Sequence, residues 1–394
     1  MPRLRSVLAG CAALFIAAAI WLPLLHFFFA RQPAEYFSAH GVPPLARKLA
    51  ARHLRLWTDP ALRDEEVRKM RVRNAEWDFM GRSFLVWSFA NMGLRDPASK
   101  ATALGVMDRI IDETLRLERD QGVYHFLLPY AHDGEFAANP PRSLFLDGEI
   151  ALMLASRRML EEKAIYKPLL AERVSTMVER MKQSPVLSAE SYPNECWTFC
   201  NTVALASIRV ADCLDGTDHS EFLRDWVSTA KTKLVDPKTG LLVSMYTPSG
   251  RHLYGPEGST IWMASHCLQI VDGGFAAEQY ARARRELGRT FLGFGYAREW
   301  PASWPGEQDV DSGPVVPLLG ISAGSSGLAF VGASAFGDGD FLSSLRASLD
   351  FAGFPSVEQG GLRYCASNQV GDAVLLYATV LGPMWDRAKA GAVR

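Results

Sequence analysis

Glu195-Cys196-Trp197-Thr198-Phe199-Cys200-Asn201-Thr202 runs directly into Val-Ala-Leu-Ala-Ser-Ile-Arg-Val at 203–210, a segment that is apolar nearly all round. A helix without a polar face belongs inside a protein. The same unit, a short polar or glycine-bearing start followed by an apolar helix, recurs along the chain. Glu76-Trp77-Asp78 precedes 84–92, Leu146-Asp147-Gly148-Glu149 precedes 150–154, and Gly255-Pro256-Glu257-Gly258 precedes 261–271. Asp309-Val310-Asp311-Ser312-Gly313 is a fifth start, and Asn368-Gln369-Val370-Gly371-Asp372, before 374–381, is the last. Measured at Trp77, Gly148, Trp197, Gly258, Ser312 and Gly371, the intervals are 71, 49, 61, 54 and 59 residues. Amphipathic stretches fill the gaps: 104–119 carries Leu104, Met107, Ile110, Ile111 and Leu115 at helical spacing with charges between them, the pattern of a half-exposed outer helix. Six outer–inner helical hairpins predict an all-α toroid with the inner helices around a central cavity.

The composition, 48% hydrophobic and 22% charged over 394 residues, supports a large core. With 42 basic and 43 acidic residues and a net charge of -1, no basic face is expected, and nucleic acid is excluded as a partner. From 7 to 30 the chain is apolar apart from Gly10, Pro23 and His26, with Arg3 and Arg5 before it and Arg31 after it. That run exceeds a signal-peptide core and spans a bilayer as a helix. The expected layout is a basic N-terminus at 1–6, an uncleaved transmembrane anchor at 7–30, a linker at 31–43 and the toroid at 44–390. The two leading arginines favour a cytoplasmic N-terminus, which puts the body on the periplasmic or extracellular side of the inner membrane.

Strand or loop excursions are expected at 123–130, 241–246 and 362–366, between glycines and prolines. The stretch 300–313, rich in Pro, Trp and Gly, reads as an ordered loop over one mouth of the ring.

Carboxylates stand at every inner-helix start: Glu76, Asp78, Asp147, Glu149, Glu195, Glu257, Asp309, Asp311 and Asp372. Taken singly, each suits a helix N-terminus, where free N–H groups and the dipole favour negative charge. In a toroid those ends converge, and crowding with burial raises carboxyl pKa values toward acid–base use. Cys196 and Cys200, four apart, share one face if the helix includes both, and their sulfurs then enter one cavity. Their Cα atoms would stand about 6 Å apart, near the upper range for a disulfide, so free thiols are expected. No second Cys or His pair completes a zinc site, and no nucleophile elbow, P-loop or dinucleotide fingerprint occurs in context. The reading calls for no metal and no cofactor. Trp77, Trp197 and Tyr364 belong to a group of aromatics near the mouth suited to stacking on a substrate, and His266 is either a base aimed at the cavity or a satisfied core histidine.

The order Cys200-Asn201-Thr202-Val203-Ala204, then Asp212-Cys213-Leu214-Asp215-Gly216-Thr217-Asp218, then Leu234-Val235-Asp236-Pro237-Lys238-Thr239-Gly240 and Tyr246-Thr247-Pro248-Ser249-Gly250 resembles the linalool dehydratase/isomerase family. The resemblance implies an (α/α)6 barrel and a cofactor-free lyase or isomerase acting on a small hydrophobic alcohol, terpenoids included. It matches Cys200 to the family's catalytic cysteine and Asn201 to the position after it. Glu149 falls where the family carries an active-site histidine, and Ser191 where it carries a second cysteine. The family's N-terminal Asp and Tyr have no clear counterparts, His53 and Met80 falling near their positions. The expected catalytic group is Cys200, Glu149, Cys196, Asp147 and Asp78. Asn201, Trp197, Trp77, His266, Glu257, Asp311 and Tyr364 are expected to line the substrate, and an oligomer is compatible with all of this. Two other readings use the same toroid. One is a glycoside hydrolase with Asp78, Glu149, Glu257 and Asp311 as its acid–base pool, which calls for an open groove. The other is a membrane-tethered binding protein without chemistry.

Overall fold

The computed structural model describes residues 2–38, 40–304, 309–310, 312–317 and 319–391. Helices α1 (Pro2–Leu24) and α2 (Pro33–Tyr36) come first. Outer and inner helices then alternate. α3 (Pro44–Thr58) and α4 (Pro60–Arg73) lead into inner α5 (Ala75–Arg95), and α6 (Lys100–Gln121) leads into inner α7 (Leu144–Leu160). α8 (Tyr166–Lys182) precedes inner α9 (Thr198–Asp215), and α10 (Ser220–Lys233) precedes inner α11 (Gly258–Leu268). α12 (Gly273–Glu286) precedes inner α13 (Ala323–Ala335), α14 (Gly339–Ala352) precedes inner α15 (Gln369–Val380), and α16 (Pro383–Gly391) ends the chain.

Each inner helix packs on the next, and α15 packs on α5, which closes the ring. The burial of the helices follows their composition. Every residue of α7 is buried, whereas α6 buries Ala103, Val106, Met107, Ile110, Ile111 and Thr114 on one stripe and leaves its charges outside. The two ends of the ring differ. At the C-terminal ends of the inner helices α16 lies across the opening: Met384 N donates to Asn91 Oδ1 (3.1 Å), Trp385 Nε1 to His266 O (2.9 Å), and the Arg387 guanidinium to Met159 O (3.0 Å). At the N-terminal ends lie the long connections and short antiparallel hairpins, including Gly288–Phe291 with Phe294–Ala297 and Pro355–Glu358 with Gly361–Tyr364.

Several expectations need correction. Of the strand or loop expected at 123–130, the loop is found, with 3-10 turns at Val123–Phe126 and Pro129–Asp133. The fifth start at 309–313 does not open a helix, because strands Gly313–Val316 and Ile321–Ser322 intervene and α13 begins only at Ala323. Asp311 lies outside the described residues. Cys196 is not helical. It pairs in a strand with Tyr246, and α9 starts at Thr198 after an extended Trp197, so the two cysteines do not share a helix face.

The N-terminal helix continues through a 3-10 turn at Leu25–Phe28. The stretch Leu4–Phe28 is long and apolar enough to cross a membrane and is not buried in the barrel, a test that a signal sequence also passes.

Candidate active site

A close approach of α7 to α9 sets the site. A Cβ built on Gly148 would stand 3.1 Å from Ala204 N and 3.2 Å from its Cα, tighter than an ordinary side-chain contact, so a larger residue there would require α9 to give way. The next residue, Glu149, and Cys200, one turn before Ala204, then fall within each other's electrostatic reach. Glu149 is fully buried, and among the described residues neither carboxyl oxygen makes a well-formed hydrogen bond, the Ser83 hydroxyl being its nearest polar influence. Burial, with the charge of Glu76 adding to it, lifts its pKa to about 8; the Ser83 hydroxyl, which donates to Phe79 O at 3.2 Å, pulls the other way. At neutral pH Glu149 is mostly a neutral acid.

Cys200 is 7% exposed. Burial drives its pKa well up; the neighbouring Ser191 hydroxyl opposes this, and Glu149 and Glu76 add smaller upward effects. The group is therefore a thiol rather than a thiolate. Cys267 on α11 also senses Glu149, and burial again raises it.

The connection between α8 and α9 forms the roof. Asn201 ties it down: its Oδ1 accepts from Ala189 N (3.1 Å) and its Nδ2 donates to Ala189 O (3.3 Å) and Trp197 O (2.9 Å). This brings Ser191 to Cys200 and leaves the Asn201 amide occupied by the Ala189 and Trp197 backbone. Tyr192 Oη donates to Glu76 Oε1 at 2.5 Å and accepts from Leu128 N at 2.8 Å. Tyr130 stacks on Tyr192 at 4.5 Å and donates to Glu195 Oε2 at 3.3 Å; Trp197 Nε1 donates to the same oxygen at 3.1 Å.

The other expected residues are placed elsewhere. Asp147 points into a cage of Arg142, Arg173 and Arg180, which contact both its oxygens at 2.6–3.1 Å. Asp78 is held by Arg82 at 2.8 Å and Arg71 at 3.3 Å. Such buried pairs satisfy each other's charge, and neither carboxylate joins Cys200. The Cys196 thiol, raised by burial, lies among Glu190, Arg180 and Glu195 instead. His266 is the satisfied core histidine at the plugged end: Nε2 meets Tyr377 Oη at 2.7 Å, Nδ1 meets Gln269 Oε1 at 3.1 Å, and the ring stacks on Trp385 at 4.7 Å. Tyr364 donates to Asp350 Oδ1 at 3.0 Å, away from the centre. Trp77 is half-buried against the core, and Glu257 is the residue before α11, its N–H donating to Ser244 Oγ at 2.8 Å. His53 sits on α3, where burial and Arg52 hold its pKa down to about 3. Glu76, Ser191, Tyr130 and Tyr192 complete the site. Of these, Glu76 carried a signal in the sequence as a carboxylate at an inner-helix start and Ser191 through its place in the resemblance; Tyr130 and Tyr192 carried none.

The arrangement offers a neutral carboxylic acid, a neutral thiol and a hydroxyl in a dry interior, with a second carboxylate, Glu76, bound to a tyrosine at its roof. That suits proton delivery to a neutral substrate group.

A family model described as linalool dehydratase/isomerase matches residues 162–370, more than half of the chain. Among solved structures, the chain is similar to the GH76 α-mannanase of Bacteroides thetaiotaomicron in its selenomethionine form, with 11% identity over 80% of this chain and 86% of that one and a TM-score of 0.47. It is also similar to the GH76A α-1,6-mannanase of Salegentibacter sp., with 15% identity over 78% and 89% and a TM-score of 0.46. Similarity at that level carries no information on substrate.

Proposed function

This chain belongs to the linalool dehydratase/isomerase family, and we propose that it works as a cofactor-free hydro-lyase or isomerase on a small hydrophobic alcohol. The observation that carries this reading is Glu149, a buried carboxyl without a well-formed hydrogen bond among the described residues, its pKa lifted to about 8, within electrostatic reach of the Cys200 thiol. An unpaired buried polar group is costly and calls for a partner from outside the chain. A substrate hydroxyl fills that role.

Glu149 gives its proton to the hydroxyl oxygen while the Cys200 thiol hydrogen-bonds it; the C–O bond breaks, its electron pair leaves with water, and a neighbouring C–H bond supplies the electrons of the new double bond. Glu76 takes that carbon-bound proton, with Tyr192 steadying its charge, and proton return to Glu149 resets the site. Run backwards, the same steps hydrate an alkene, and hydration at the other carbon isomerises the alcohol. The dry surroundings strengthen each of these interactions.

Carbohydrate cleavage calls for carboxylates facing an open groove. Glu149 has no exposure and Asp78 is ion-paired, which supports the alcohol reading. The N-terminal helix is read as an uncleaved anchor with Arg3 and Arg5 on the cytoplasmic side and the barrel on the other.

The test is turnover of allylic and tertiary alcohols by full-length Cys200→Ala and Glu149→Gln, followed as alkene release. Each variant is expected to lose about 100-fold or more while keeping the wild-type circular dichroism spectrum. Wild-type turnover in both variants rejects the assignment.

A further inference from the structure

The end of the anchor is not a free tether. The His26 ring lies over Gly293 so closely that any Cβ there would come within 2.2 Å of it. Phe29 meets Phe351 at 5.2 Å and Phe294 at 6.3 Å, Phe294 meets Phe351 at 5.2 Å, and Arg31 Nε donates to Asp350 Oδ2 at 3.0 Å. The apolar helix is thus docked on α14 and on the hairpin at 288–297.

Around this joint the barrel is greasy. Phe291, Phe351, Phe354 and Val357 are 66%, 49%, 67% and 57% exposed, and Phe27 and Phe28 on the anchor side are equally open. Among the described residues, α6, α10 and α12 present no exposed large apolar side chain, and the other exposed ones on the barrel are Val72, Ile165, Leu169, Val316 and Leu319. A soluble surface does not normally gather apolar side chains in this way. It also lies at one end of the ring. Ala297 N donates to Ser326 Oγ, and Ser325 Oγ to Arg298 O, at the start of α13; the 355–364 hairpin leads into the Asn368 cap of α15. That is the end at which Tyr192, Glu76 and Cys200 stand.

We propose that the tips and flank formed by the 288–297 and 355–364 hairpins, with the end of α14, are a second bilayer contact continuous with α1, which seats the end of the ring where the inner helices start in the headgroup region. The occupant is lipid because the patch adjoins, through unbroken ring contacts, a helix that is itself apolar over a bilayer's thickness. Exposed phenylalanines beside it enter the boundary between headgroups and acyl chains. The seating does not depend on the chemistry at Cys200.

The experiment reconstitutes the full chain in nanodiscs of phosphatidylcholine carrying a diazirine on the acyl chain, irradiates them, and maps the adducts by mass spectrometry. Adducts are expected in 4–28 and also in 289–296 and 351–358, with none in 220–233 or 273–286. In the double variant Phe291→Asp and Phe354→Asp the hairpin adducts should fall at least tenfold while those in 4–28 stay. Aspartate suits position 354, where φ is +50°. Labelling confined to 4–28 overturns the proposal. So do cross-links between two copies through these hairpins, or a membrane-extracted chain whose mass shows that it begins after Phe28.

Discussion

Glu149 has its chemistry set by its surroundings before any substrate arrives, and the same surroundings tax the fold. Its pKa rises from 4.5 to about 8, so between those values the folded state keeps a proton that the unfolded chain has released. Stability therefore falls as pH climbs through that window, and the full cost stands above about pH 8. Glu149→Gln has no proton to lose. Its stability relative to wild type should grow between pH 5 and pH 9 by about 2–5 kcal/mol, read from urea unfolding at both pH values, even as turnover disappears. Equal pH slopes in the two proteins contradict this. The residue scale is also where sequence reading was most uneven. Cys200 and Glu149 were legible because a motif marks them. Cys196 misled because residues 196–197 are held in a strand against Met245 and Tyr246, which no local pattern announced. Much of the motif is turn hardware: Asp212 accepts from Thr217 Oγ1, His219 N and His219 Nδ1 behind α9, and Asp236 Oδ2 accepts from Thr239 N and Oγ1. Only its Cys200 end reaches the site. Tyr130 and Tyr192 come from irregular connections, where side-chain placement depends on the finished fold.

Helix pairs decide whether those residues meet. At Gly148 a methyl would press on the Ala204 backbone, which has no flexible side chain to move aside. Gly148→Ala should force α7 from α9 and cost about 1–3 kcal/mol as overpacking. Because Glu149 and Cys200 sit on either side of that seam, kcat should fall tenfold or more, a larger fractional effect than the change in KM. Gly105→Ala is the control. That position, on outer helix α6, has nothing within 4 Å, and gaining a helix-favouring residue there should add about 0.5–1 kcal/mol with turnover unchanged. Matching effects of the two changes would mean that the α7–α9 spacing does not govern the site. Inner helices were readable because a helix buried on all sides carries no charge pattern. The start of α13 was displaced in the reading because two short strands separate it from the acidic stretch. α16 left no signal, since a nine-residue amphipathic tail looks the same whether it lies on a surface or plugs a ring.

At the scale of the whole molecule the alternation of apolar and amphipathic segments gave the toroid, while its closure depends on a contact far apart in sequence, α15 against α5. Closure changes how the chain comes apart. In a linear array of helical pairs the terminal units have one neighbour each and open first. In this ring the first and last inner helices each have two, and α16 adds a bolt from the first of them across to α11: Met384 N on Asn91 of α5 and Trp385 on His266 of α11. Amide exchange measured by mass spectrometry on the full chain should therefore show α5 and α15 protected to the same degree as α9 and α11, within about tenfold. Trp385→Ala removes a buried indole and costs about 3–5 kcal/mol, and it should speed exchange in α5, α11 and α15 together because all three share the plug and the seam. If α15 exchanges far ahead of α9 in the wild type, the seam is open in solution and the molecule behaves as an array. If Trp385→Ala loosens only α11, the plug does not bind the ring's two ends.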